Sequence, residues 1–141
     1  MIYRVGVSVR AATVADREAT VALWAAARLT RPWNDPRADH DLALTTATST
    51  ILLAEAEVGL VGSVMVGFDG HRGWVYYLAT APDSRAQGIG RALMTAAEGW
   101  LKALGCPKIQ LMVRGDNGSA RGFYDALGYE LQDVVTIGKH F

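Results

Sequence analysis

Cysteine is almost missing from this chain: one residue, Cys106, in 141. That count excludes an intramolecular disulfide and a cysteine-built metal site, and it fits a reducing, cytoplasmic compartment. Cys106 itself reads as an inert thiol at a helix-to-strand junction, and no metal is expected. Net charge is missing as well, with 14 Lys and Arg against 14 Asp and Glu. No general attraction to nucleic acid or to an anionic membrane is expected, so any anion recognition must be local. No apolar run approaches the roughly 18 residues of a membrane span, and the first residues lack the apolar region and small-residue cleavage site of a signal peptide. A soluble, unexported protein is the expectation. Repeats, low-complexity tracts and linkers are absent too, so residues 1–141 read as one domain, and 50% hydrophobic residues give it a sizeable core.

What is present is a sequence of short patterned segments. Val7 and Val9 alternate with Ser8 and Arg10 like a strand, and Thr13-Val14-Ala15-Asp16 reads as a capping box that opens a helix to about Arg28. Pro32 and Pro36, around Asn34-Asp35, break that helix, and a second, weaker one is expected from about Asp39 to Ala47. Residues 51–56 and 59–68 are β-rich with a short connection, and Asp69-Gly70-His71-Arg72-Gly73 is a tight turn before a further strand over 74–80. Three sequential antiparallel strands are expected. Leu93, Ala97, Trp100, Leu101 and Leu104 then share one helical face, stopped by Gly105 and Pro107. A strand over 108–113 follows at the spacing a parallel crossover needs. Asn117 can start a short helix carrying Ala120, Phe123, Tyr124 and Leu127 and ended by Gly128, after which 129–133 and 134–139 read as closing strands.

Between the strand over 74–80 and the long helix lies Arg85-Ala86-Gln87-Gly88-Ile89-Gly90-Arg91. A loop entering a helix leaves backbone N–H groups without intrahelical partners, and the helix dipole adds partial positive charge where they point. Gly88 and Gly90 permit turn conformations and remove side chains that would hold a phosphate away, while Arg85 and Arg91 add cationic donors. The alternative is a glycine-rich connection serving strand-to-helix packing. A dinucleotide-binding Rossmann unit fits poorly, because the first glycine of its fingerprint is absent and three antiparallel strands precede the loop.

The ordered set of strand, Arg-x-x-Gly-x-Gly, helix, strand, then Asn117, Phe123-Tyr124 and Gly128-Tyr129, resembles the GNAT family of acyl-CoA-dependent N-acetyltransferases. The likeness runs from about Val7 to the end. More narrowly, Arg31-Pro32-Trp33-Asn34-Asp35-Pro36, the turn over 69–73, Tyr76-Tyr77-Leu78 and Gly105-Cys106-Pro107-Lys108-Ile109-Gln110 are similar to the small bacterial YpeA-type subgroup. The resemblance implies an α/β fold with a V-shaped, mostly antiparallel mixed sheet, split between the strands near 74–80 and 108–113, with helices on both faces. Acetyl-CoA would lie in the split as cosubstrate. By position, Leu78, Ala79 and Thr80 would offer main-chain groups to the pantetheine amides, as a peptide strand adds to a sheet edge. The backbone of Arg85, Ala86, Gln87, Gly88, Ile89, Gly90 and Arg91 would hold the pyrophosphate, with Ala86 standing where the family often has glycine. Asn117 would reach the pantetheine arm or simply cap its helix, and Tyr124 would meet the sulfur as the catalytic hydroxyl.

The same resemblance points to a main-chain N–H near Ala79 for the thioester oxygen. Some relatives carry a strand glutamate as general base, yet 74–80 and 108–113 contain no carboxylate. How far a base is needed depends on the acceptor: at pH 7 a lysine amine is neutral about once in 2,500 molecules, an α-amine about once in seven. Acceptor-side candidates are Trp33, Asn34, Asp35, Asp69, His71 and Tyr76; Asp35, Asp69 and His71 each have a plainer role in their own turns, and Trp33 could wall the acceptor pocket or only pin its loop to the core. The expected activity is direct transfer of an acetyl group from CoA to a primary amine of a small molecule or protein; the alternative is a noncatalytic acyl-CoA sensor. Partners are acetyl-CoA and an unidentified amine, without nucleic acid or membrane, in a monomer or homodimer.

Overall fold

The structure is a computed structural model that describes residues 6–141, so the part of the 1–141 reading that falls on residues 1–5 lies outside the described residues. The described chain forms two compact units, one ending at Leu111 and one running from Met112 to Phe141.

The first unit opens with β1 (Ser8–Ala11) and a 3₁₀ turn at Val14–Asp16, which leads into α1 (Arg17–Ala26). Asp16 supplies the expected cap: its carboxylate accepts from the Thr13 N–H at 2.7 Å and holds Arg10 through two nitrogens at 2.8 Å. Arg10 also pairs with Glu55 on β2, tying the helix entry to the sheet. Those partners hold the Asp16 carboxyl well below the ordinary carboxylate range, the Arg10 hydrogen bonds being the main cause.

The second helix differs from the expectation. α2 spans Pro36–Thr45, starting three residues earlier than expected, because the Asp35 side chain accepts from the Ala38 N–H at 3.1 Å. Pro36 begins the helix: at its first position a missing N–H costs nothing and the fixed φ is already helical.

β2 (Ser49–Ala56), β3 (Gly59–Phe68) and β4 (Gly73–Thr80) follow as the expected antiparallel series, with β1 antiparallel to β2 at the edge. A crossover through α3 (Ile89–Ala103) brings β5 (Ile109–Gln110) parallel to β4, giving the order β1-β2-β3-β4-β5. α1 and α2 bury Val21, Leu23, Trp24 and Ala43 against Ile51, Leu53 and Ala79. α3 covers the opposite face, where an ideal Cβ at Gly62 would lie 2.7 Å from Ile89 Cγ2 and 2.8 Å from Leu93 Cδ1. Only glycine lets β3 and α3 approach that closely. Leu93 is wholly buried there, a contribution on the order of 2 kcal/mol. Among the described residues no helix is long and apolar enough to cross a membrane.

The second unit contains α4 (Gly118–Ala126). Two strand expectations are corrected. The strand over 108–113 shrinks to Ile109–Gln110, because pairing with β4 is confined to Gly73–Ile109 and Trp74–Gln110. The closing strands over 129–133 and 134–139 are not formed; those residues carry no regular structure. Their β-branched residues supply propensity, but a strand is stabilised by cross-strand pairs and has no standing without a ladder.

Candidate functional site

Three features meet at the C-terminal end of β4: a glycine loop, an open sheet edge and a distorted backbone. In the loop, Ala86 at φ +61 and Gly88 at φ +79 lie in the left-handed region on either side of Gln87. Gly88 caps α3 without a side chain, and the first helical bond runs from Ala92 N–H to Gly88 C=O at 3.0 Å. The N–H groups of Ile89, Gly90 and Arg91 therefore have no intrahelical acceptor, and the first turn of α3 holds no acidic residue to serve as one. Ile89 is buried and anchors the loop, so only its backbone faces outward for binding, whereas Arg85 and Arg91 are exposed. Arg10, Arg17 and Arg37 all pair with carboxylates; among the described residues Arg85 and Arg91 have no such partner. This arrangement can accept an anion with two or more oxygens. Alanine at position 86 pays the left-handed penalty of about 1–2 kcal/mol, so the backbone there suits glycine better.

Beside the loop, β4 loses its neighbour. Pairing with β5 stops at Trp74, so the remainder of β4 has no ladder on that side among the described residues. Leu78, Ala79 and Thr80 lie in this open stretch. Within it the strand is bulged: Ser63 pairs with Ala79 and Met65 with Tyr76, leaving Tyr77 and Leu78 both opposite Val64. Strict alternation from Gly73, which faces Leu101 of α3, would put residues 77 and 79 on that same face. Instead Tyr77 and Ala79 pack with Trp24 on the α1 side. The extra residue has switched the face of the strand. Sequence reasoning missed the bulge and its supports Trp24, Ser63 and Asp39. The available signals were the lone hydroxyl of Ser63 in an apolar strand and the adjacent large aromatics Tyr76-Tyr77.

The acceptor-side candidates come from two segments, the loop before α2 and the β3–β4 turn with its following strand. Asp69 and His71 sit in the β3–β4 turn, at the start of an eight-residue strand, about 23 Å by strand rise from its glycine-loop end. The Asp69 carboxylate accepts from the N–H groups of His71 and Arg72 at 2.8 Å each and from Trp74 Nε1 at 3.3 Å. The backbone bonds to Arg72 and His71 hold its carboxyl below the ordinary range, which weakens it as a base. Asp35 is engaged as the α2 cap, and Asn34 N–H donates to Arg31 C=O at 3.1 Å. Trp33 is 60% exposed, so it does not pin its loop to the core. Tyr76, 46% exposed on β4, has its phenol raised by burial first and by the Asp69 charge second.

In the second unit Asn117 caps α4: its carboxamide oxygen accepts from Ala120 N–H at 3.1 Å and from the Ser119 hydroxyl at 3.2 Å. Its NH₂ group is the part that can meet a ligand. Tyr124 lies edge-on to Phe123 and Tyr129, at centroid distances of 5.0 and 5.7 Å. Tyr129 N–H returns to Tyr124 C=O at 3.0 Å, past Gly128 at φ +90, closing the helix. Burial pushes the Tyr124 phenol up to about 12, which keeps it a hydrogen-bond donor at neutral pH.

Comparison with known proteins gives three concordant results. The model of a family described as acetyltransferase (GNAT) family matches residues 17–129. An acetyltransferase of Pectobacterium atrosepticum is 49% identical over 124 residues, which is 88% of each chain. Among solved structures, the aminoglycoside acetyltransferase AAC(6')-Iy, bound to a bisubstrate analog containing CoA, superposes with a TM-score of 0.83 at 17% identity, over 96% of this chain and 98% of that one. A ribosomal-protein-alanine N-acetyltransferase of Brucella melitensis superposes with a TM-score of 0.78 at 20% identity, over 96% and 99%. At such identities the likeness is one of fold, and two different acceptors on similar folds show that the fold does not choose the amine.

Proposed function

Because this chain belongs to the GNAT acetyltransferase family, we propose that it transfers the acetyl group of acetyl-CoA directly to a primary amine of a small molecule or protein. The observation that carries this reading is the open edge of β4 at Leu78–Thr80 leading straight into the loop of Arg85–Arg91 with its unaccepted N–H groups. An extended pantetheine arm supplies amides that can add to such an edge, and the pyrophosphate supplies the anion for the loop. Asn117 is proposed as a further contact to the arm. We propose the cytoplasm as the compartment, where a lone free cysteine such as Cys106 stays reduced.

Chemically, the amine must attack neutral, the thioester oxygen must be stabilised as it gains charge, and the thiolate must be quieted as it leaves. Main-chain N–H groups at the β4 bulge, near Ala79, are proposed for the oxygen, where a fixed donor needs no reorganisation. Tyr124 is proposed for the sulfur: its phenol, held protonated by burial, hydrogen-bonds the developing thiolate. On the acceptor side we propose Trp33, Asn34 and Tyr76 as contacts, since Asp35 and Asp69 are committed to backbone N–H groups. Neither β4 nor the segment over 108–113 carries a carboxylate to act as a base, which favours acceptors that are partly neutral at pH 7 over lysine side chains.

The test is thiol release from acetyl-CoA against a panel containing a peptide α-amine, a lysine peptide, a polyamine, an amino sugar and an aminoglycoside. Turnover with at least one amine is expected. Acetyl-CoA binding without release above hydrolysis would replace the enzyme with an acyl-CoA sensor. With a working amine, Tyr124→Phe should lower kcat by about 10² while the acetyl-CoA Kd stays nearly constant; wild-type turnover would remove Tyr124 from the mechanism.

A further inference from the structure

The β4 bulge is strained and yet firmly held. Tyr77 sits at φ +53, a left-handed conformation that costs a non-glycine residue about 1–2 kcal/mol and persists only where the surroundings over-determine it. The surroundings here are specific. The wholly buried Trp24 donates from Nε1 to the Ser63 hydroxyl at 2.9 Å, and Ser63, also wholly buried, donates to the Tyr77 carbonyl at 2.9 Å. An indole N–H can only donate, so it occupies a Ser63 lone pair and leaves the single hydroxyl proton for the carbonyl. The Tyr77 ring stacks on Trp24 at 3.8 Å and 9°, and its hydroxyl donates to Asp39 Oδ2 at 2.7 Å. Carbonyl, ring and hydroxyl of one residue are thus fixed by three different elements.

Fixing that carbonyl has a consequence across the peptide bond. In a planar trans peptide the C=O of one residue and the N–H of the next point in opposite directions. The Tyr77 carbonyl is drawn toward Ser63 on β3, so the Leu78 N–H is aimed away from β3, on the side where β4 has no ladder partner beyond Trp74. We propose that Ser63, supported by Trp24, is a positioning residue for acetyl transfer: it locks the Tyr77–Leu78 peptide so that the Leu78 N–H donates to the thioester oxygen. The assignment rests on the reading of this edge as the thioester site. Ser63 never touches substrate; it acts by setting the direction of a donor that would otherwise relax with the strained residue. Asp39 and the Trp24 stack hold the side chain, whereas Ser63 holds the peptide carbonyl.

The discriminating experiment is infrared difference spectroscopy of acetyl-CoA labelled with ¹³C at the thioester carbonyl, bound to wild type, Ser63→Ala, Ser63→Thr and Trp24→Phe, with thiol release measured in parallel on an amine that supports turnover. In wild type the bound carbonyl band should lie below its free value. Ser63→Ala should move it back toward the free value and lower kcat roughly tenfold to a hundredfold, with the acetyl-CoA Kd within about twofold. Ser63→Thr, which keeps the hydroxyl, should restore most of both. Trp24→Phe, which keeps an aromatic ring but not the N–H, should fall between them, and it carries the test if Ser63→Ala does not fold. A folded Ser63→Ala with the wild-type band and kcat overturns the proposal, as does a kcat loss with an unmoved band. Wild-type protein that does not bind acetyl-CoA overturns the functional reading itself, and the positioning role with it.

Discussion

The two ends of β4 solve the same backbone problem in opposite ways. At its start, the turn after Phe68 exposes N–H groups at His71 and Arg72, and the chain supplies its own anion: the Asp69 carboxylate accepts both at 2.8 Å. At its far end, the turn into α3 exposes N–H groups at Ile89, Gly90 and Arg91, and no acceptor is supplied by the helix entry itself, which has a glycine cap and no acidic residue in the first turn. A turn that carries its own acceptor is a finished structural element. One without it keeps its donors for something that arrives from outside. The second end is also where the strand is bulged and its edge is open, so unmet backbone donors and an open ladder lie side by side there.

The sharpest way to break the contrast is to spoil the open end. Gly88→Val forces a β-branched residue to φ +79, and it should weaken acetyl-CoA binding by roughly thirtyfold, equivalent to about 2 kcal/mol, in a calorimetric titration. Unchanged affinity in a folded variant would detach the loop from the pyrophosphate.

The closed end predicts the reverse pattern. Asp69→Ala should lower the melting temperature by a few degrees and leave acetyl-CoA affinity where it was. Its pH dependence has a definite sign. The folded-state carboxyl lies below its ordinary value of 3.8, so its stabilisation is present above that value and is lost as the pH falls through the folded-state one. The gap in melting temperature between wild type and Asp69→Ala should therefore close on acidification below about pH 4. A gap that persists there would mean the carboxylate is not the cause. The smallest effect is expected at Ala86, where Ala86→Gly removes a left-handed alanine at φ +61. It should stabilise the fold by about 1 kcal/mol in denaturant unfolding and change acetyl-CoA affinity less than twofold.

Much of this was legible in the residues. The face of α3 was readable because Leu93, Ala97 and Leu101 recur at helical spacing, and those residues are buried in the structure. The cap at Asn117 and the turn at Asp69 were readable because one side chain satisfies backbone groups two or three residues away. Where partners are distant in sequence, reading failed. Pro36 looked like a breaker although the adjacent Asp35 made it a starter. The strands expected over 108–113, 129–133 and 134–139 rest on local pattern and chain order, but a strand exists only where a neighbour presents a ladder, and the ladder on β5 ends at Gln110. The bulge escaped altogether, because it is a mismatch in register between β3 and β4 and cannot be a property of either strand alone.

By itself, then, the sequence determined the order of elements from β1 to α4, the mixed sheet with a helical crossover, and a cationic glycine loop at the mouth of α3, since all of these follow from local periodicity and capping chemistry. Tertiary structure decided which donors stay unmet. It ended the β4–β5 ladder at Trp74, slipped one residue into β4 at Tyr77, and brought Trp24 and Ser63 from two other elements to hold the displaced carbonyl. The reason is physical: whether a backbone N–H is used up or available depends on what lies within about 3 Å of it, and across a sheet or between helix and strand that neighbour is chosen by folding.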